Sequence, residues 1–109
     1  MIDGLRRQLG GPRDGALLRY SLGHALLASG EIDEAIVALR AALDFDPRYS
    51  AAWKLLGEAL LRSPDLDGAC AAWRQGIDVA SARGDTQAGK EMAVFLRRAL
   101  KPAGDTPTA

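Results

Sequence analysis

Between Ala16 and Ser29 the apolar residues Leu18, Leu22, Ala25 and Leu26 recur at three- and four-residue steps. That is the period of a helix, not the alternation of a strand. Gly30 follows, and a residue without a Cβ tolerates the left-handed backbone that ends many helices, so a stop is predicted there. A second apolar stripe comes next: Ala35, Ile36, Leu39, Ala42 and Leu43. Asp33 is placed to cap it, and Asp46-Pro47 to close it, since proline disfavours helix in the residue before it. The same signals then return in the same order. Ala51 to Arg62 reads as a helix, Ser63-Pro64 as a break, Asp67 as a cap, and Gly68 to about Ala82 as a helix ended by Gly84-Asp85. A last amphipathic helix is predicted from about Thr86 to Leu100, and no segment reads as a strand.

The two halves of this pattern superimpose residue by residue at a shift of thirty-four. Leu22-Gly23 falls on Leu56-Gly57, Ala25-Leu26-Leu27 on Ala59-Leu60-Leu61, and Asp33 with Ala35 on Asp67 with Ala69. A helix-turn-helix pattern repeating at this period predicts a stacked helical array. The register also runs backwards, through Leu5, Leu39 and Trp73, through Arg6, Arg40 and Arg74, and through Leu9, Leu43 and Ile77. Ile2 to Leu9 therefore reads as the second helix of an otherwise missing unit, followed by the loop Gly10-Gly11-Pro12. Arrays of this kind need atypical ends to cover the apolar faces of their outer units. About six helices are expected in one domain over residues 1–100. It divides into a half-repeat (1–15), two full repeats (16–49 and 50–85) and a capping helix (86–100), with a flexible tail over 101–109.

Composition narrows the function more than the fold. A chain of 109 residues supports one domain with a core. Fourteen basic residues balance fourteen acidic ones, which argues against the counterion-releasing surface of a general nucleic-acid binder. The single cysteine, Cys70, forms no internal disulfide and supplies too few ligands for a zinc site. The first residues lack a signal-peptide pattern, and no apolar run reaches membrane-spanning length, so a cytoplasmic protein without membrane contact is expected. One histidine, one cysteine and no Gly-rich phosphate loop make a poor catalytic inventory. No enzymatic activity, metal or cofactor is expected.

The second unit reads Trp53-x-x-Leu56-Gly57-x-x-Leu60 and then Ala69-x-x-x-Trp73; the first has Leu22-Gly23-x-x-Leu26, Ala35-x-x-x-Leu39 and Pro47. This resembles the tetratricopeptide repeat, whose signature is Trp-x-x-Leu-Gly-x-x-Tyr, Ala-x-x-x-Phe and a closing Pro. The resemblance covers about Ala16 to Ala82. It departs at Arg19, where the family often has Trp, at Leu26 and Leu60 for Tyr, and at Gly76 and Ser81 for an Ala and the closing Pro. Met92-Ala93 stands in for Leu-Gly if the connection before it is about two residues longer. The implied fold is all-α: antiparallel helix pairs stacked as a short right-handed α-solenoid. The signature glycines would allow close helix approach, with Ala35 and Ala69 facing them and the tryptophans filling the space between helices.

The resemblance also implies a function: a scaffold or adaptor that holds a peptide or helix of another protein in a concave groove lined by the first helix of each pair. The stripe opposite Leu-Gly then faces the partner, with Leu17, Tyr20, His24 and Leu27 from the first unit and Ala51, Lys54, Glu58 and Leu61 from the second. Lys90 and Arg97 extend it on the last helix. Some family members grip a peptide C-terminus with a Lys/Asn/Arg clamp, which this stripe does not reproduce. Two other functions compete: a self-associating module, such as a homodimer through the solenoid ends, and weak RNA or DNA binding along the Arg6-Arg40-Arg74 ladder.

Plainer readings accompany the conspicuous residues. His24 suits a solvated groove position, and Cys70 a small packed side chain. Trp53 and Trp73 fall in the core by register. The pairs Asp44/Asp46 and Asp65/Asp67 sit at helix ends, where capping and the helix dipole account for them. The arginine ladder suits ion pairs on a solvated face, each worth about 0–1 kcal/mol.

Overall fold

The computed structural model describes residues 1–101; the remainder of the tail expected over 101–109 lies outside them. Six helices follow one another, and no strand occurs among the described residues: α1 (Ile2–Arg6), α2 (Ala16–Ala28), α3 (Ile32–Phe45), α4 (Ser50–Arg62), α5 (Leu66–Arg83) and α6 (Thr86–Ala99). α2 packs on α3, α4 on both α3 and α5, and α6 on α5, while α4 also touches α2 and α6 along one side. The first helices of successive units thus lie side by side, backed by α3 and α5.

The predicted stops have physical causes in the structure. Gly30 adopts a left-handed φ of 81°, which lets the Glu31 N–H donate back to the Leu26 carbonyl at 2.9 Å and ends α2. The matching turn after α4 has Pro64 in place of glycine yet keeps the equivalent bond, from the Asp65 N–H to the Leu60 carbonyl at 2.6 Å. The expected caps move by two residues. The second helix of each pair begins at Ile32 or Leu66, so Asp33 and Asp67 lie inside the first turn, where a negative charge favours the helix dipole. Asp65 is the side-chain cap, accepting the Gly68 N–H at 2.9 Å, whereas Glu31 makes no side-chain cap.

The largest fully buried side chains are Trp73, Leu26, Leu39, Leu56 and Met92. At the signature glycines a large side chain lies closer than the expected alanine, whose carbonyl (Ala35) is 3.4 Å from a Cβ built on Gly23. A Cβ on Gly23 would meet Leu39 Cγ at 2.7 Å, and one on Gly57 would overlap the Trp73 indole. The tight neighbours are therefore the large residues Leu39 and Trp73. The Gly76 departure has its own purpose: a Cβ there would run into Met92 Sδ and lie 2.7 Å from Trp53 Cβ. Glycine at this position seats the fully buried Met92 of α6 against α5.

Where α3 ends before Pro47, α5 continues, because the corresponding residue is Ser81. α5 runs to 18 residues against 14 for α3 and stops at Gly84, whose left-handed φ is 73°. The third parallel helix consequently starts thirty-six residues after α4, where α4 follows α2 by thirty-four. α1 is shorter than expected, giving way to turns between Arg6 and Gly10, but Ile2, Leu5 and Leu9 pack on the core as its N-terminal cover. Arg19, in the family's Trp position, donates to both oxygens of Asp14 at 2.8 Å and lies 5.8 Å above the Phe45 ring.

Candidate functional site

The candidate surface is the face shared by α2, α4 and α6. On α2, Leu17 is 69% exposed, His24 is exposed, and Tyr20 is half-buried because its ring stacks on Tyr49 with centroids 5.0 Å apart. Tyr49 comes from the α3–α4 connection; burial first, then the neighbouring Tyr20 and Asp46, push its hydroxyl pKa up from 10.0. Leu27 is a correction: at 6% exposure it is a core residue and offers no side chain to a partner. Its carbonyl lies on the surface side, accepting Arg62 Nη1 at 3.4 Å.

On α4, Lys54 and Glu58 are half-buried and Leu61 is exposed. Lys54 Nζ pairs with Glu91 of α6 at 3.3 Å, bridging two parallel helices. Glu58 sits among Lys54, Glu91, His24 and Arg62; desolvation outweighs the nearby cations and raises its pKa above 4.5. So the variable residues His24, Lys54 and Glu58 form one electrostatic cluster across α2, α4 and α6.

Lys90 and Arg97 are exposed on α6, and Arg97 borders an outer depression with Ala93, Leu96 and Leu100. On α6, Glu91 pairs with Lys54 of α4, and Phe95 and Arg98 line a groove shared with α4 residues. Near the C-terminal ends of α4 and α6 lies a groove of about 580 Å³, bounded by Glu58, Leu61 and Arg62, by Leu66 and Trp73 of α5, and by Phe95, Arg98 and Ala99. Tyr49, Leu66, Glu91, Phe95 and Arg98 were absent from the sequence-derived stripe. On α6, a two-residue shift carries the Lys54 and Leu61 positions to Lys90 and Arg97, whereas the unshifted thirty-four-residue spacing sets Phe95 on Leu61 and could have found it.

Residues 20–85 match the tetratricopeptide repeat family model. The chain belongs to the tetratricopeptide repeat family. A TPR repeat-containing protein of Pseudomonas aeruginosa is 48% identical over 98 residues, covering 90% of this chain and 93% of its own. A Bordetella parapertussis protein solved in solution is 45% identical, with a TM-score of 0.79 over 91% of this chain and 86% of that one. The TPR domain of Sgt2 from Aspergillus fumigatus is 25% identical, with a TM-score of 0.72 over 99% and 72% of the two chains. The TPR fold generally mediates contact between proteins.

No group of three His, Cys, Asp or Glu residues that could hold a metal occurs among the described residues. Cys70 is buried. Asp14 is spoken for: the Arg19 side chain, then the Gly10 N–H, hold its carboxyl well below the usual carboxylate range. Of the arginine ladder, Arg6 pairs with Glu34, while Arg40 and Arg74 are exposed. No helix among the described residues is long and apolar enough to cross a membrane.

Proposed function

We propose that this TPR chain is an interaction module that holds a segment of another protein across α2, α4 and α6. The observation that carries this reading is the convergence of residues that differ between the repeats. Tyr20 and His24 on α2, Lys54 and Glu58 on α4, and Glu91 on α6 share one face, beside a groove with exposed Leu61 and half-buried Phe95. Apolar anchors within a polar surround are the usual arrangement of a protein-binding patch. Leu17, Lys90 and Arg97 extend the surface at its edges. Amide chemical shifts followed during titration with candidate partner segments test this. Shifts should gather on α2, α4 and α6 and weaken in a Tyr20→Ala/Lys54→Ala variant; shifts confined to α3 and α5 would overturn it.

A second reading is self-association through the outer face of α6. Leu100 is 52% exposed there and borders the depression with Ala93 and Leu96. Size-exclusion chromatography with light scattering separates the two, because a monomer at all concentrations removes the second.

A further inference from the structure

Resting on that reading, we propose that the groove between the C-terminal ends of α4 and α6 selects a segment in which apolar side chains adjoin carboxylates. Its base is aromatic. Trp73 is 1% exposed, its indole N–H is committed to the Lys54 carbonyl at 3.1 Å, and Phe95 lies 5.6 Å away at 49°. Phe95, half-buried against this fixed ring, is the floor that an incoming apolar side chain meets, and its backing orders little on arrival. Leu61 and Leu66 stand exposed at the walls, one from α4 and one from the start of α5, leaving apolar surface for such a side chain to cover.

The rim carries the charge preference. Arg62 and Arg98 border the groove from opposite helices, and the acidic group facing them is Glu58. Glu91, close by on α6, is engaged by Lys54. Burial makes Glu58 reluctant to hold its charge. Arg62 spends one N–H on the Leu27 carbonyl, and Arg98 has no ion-pair partner among the described residues. A guanidinium retains several donors in a planar fork suited to a carboxylate, so a partner's acid beside its apolar anchor satisfies both. The larger depression at the N-terminal end differs: there Arg6, His24, Asp3, Glu31 and Glu34 mix both signs, and Arg6 is already paired with Glu34.

The test uses three eight-residue peptides with blocked termini, each carrying two leucines beside a pair of glutamates, glutamines or lysines on a Gly/Ser background. In two-dimensional NMR titrations of the full chain, the glutamate peptide should shift Leu61, Leu66 and Phe95 and bind about tenfold tighter than the glutamine peptide, the scale of one charged hydrogen bond. Arg98→Glu should reverse the order in favour of the lysine peptide; a reversal reports direct contact, which a loss of folding could not produce. Equal binding of the glutamate and glutamine peptides, or shifts at Tyr20, His24 and Lys54 alone, overturns the proposal while leaving a partner-binding face intact. Absence of shifts at this groove with all three peptides also overturns it; the wider reading is judged separately by its own titration and the Tyr20→Ala/Lys54→Ala variant.

Discussion

The indole N–H of Trp73 donates to the main-chain carbonyl of Lys54 at 3.1 Å, three residues before Gly57 on the same helix. The ring is thereby fixed across the missing side chain of Gly57, where a Cβ would overlap it. In the first repeat Gly23 faces Leu39, an aliphatic side chain without such a bond. The two glycines thus fill equivalent positions against neighbours of unequal freedom.

Gly57→Ala should therefore cost more than Gly23→Ala. Overpacking a close contact costs about 1–3 kcal/mol, and Gly57→Ala should fall at or above the upper end because moving the ring also breaks its hydrogen bond. Gly23→Ala should fall lower, since Leu39 can change rotamer. Urea denaturation of the two variants measures the difference; equal losses would show that Trp73 yields as readily as Leu39.

Restoring the family's proline should harm this chain. Ser81→Pro places proline inside α5, which continues to Arg83, so it removes a helical N–H and crowds the preceding turn at a cost of about 3 kcal/mol. It would also disturb the turn at Gly84 that sends α6 back across α5. Circular dichroism during thermal melting should show a lower midpoint. An unchanged midpoint would mean that the last turn of α5 contributes nothing to holding α6.

The repeat register made most of the fold legible, because packing residues recur: Leu22 and Leu56, Ala35 and Ala69, Leu39 and Trp73 are all buried as their spacing implies. The caps were misplaced because any early acid resembles a cap in sequence. Only the φ/ψ values that place the boundary at Glu31 or Asp65 distinguish it from Asp33 or Asp67 in the first turn. The surface was less legible. Periodicity gives the phase of a helix to within about one residue, enough to exchange Glu91 for Lys90 and Arg98 for Arg97. It also cannot anticipate contacts between elements such as Tyr20 on Tyr49 or Lys54 with Glu91.

Acid should loosen the attachment of the last helix. The Ser50 hydroxyl donates to Asp85 Oδ2 at 2.7 Å, and Asp85 also receives the Ala88 N–H at the start of α6. These bonds, the hydroxyl's first, hold the Asp85 pKa below its ordinary 3.8. A depressed carboxylate contributes stability that is complete above the unfolded value and is lost as pH falls through the folded one. Stability should drop below about pH 4, and Ser50→Ala should flatten that drop by weakening the native-state preference for ionised Asp85. Urea midpoints at pH 7 and pH 3 measure this; an identical acid drop in the variant would remove Asp85 as its source.

Glu58 should behave with the opposite sign. Its pKa is raised above 4.5, chiefly by desolvation, so the folded chain binds a proton there more readily than the unfolded chain. Between 4.5 and the folded value, raising the pH therefore costs stability, and above that window the full penalty persists. Glu58→Gln removes the charge while keeping the shape, and should raise the urea midpoint at pH 7. At pH 4, where the carboxylate is protonated in the folded chain, that advantage should vanish. The same variant separates stability from recognition. If the groove favours acidic partners, removing its facing acid should strengthen binding of the glutamate peptide relative to the glutamine peptide. A stabilised variant with an unchanged peptide preference would show that Glu58 is tuned by burial alone and does not face the ligand.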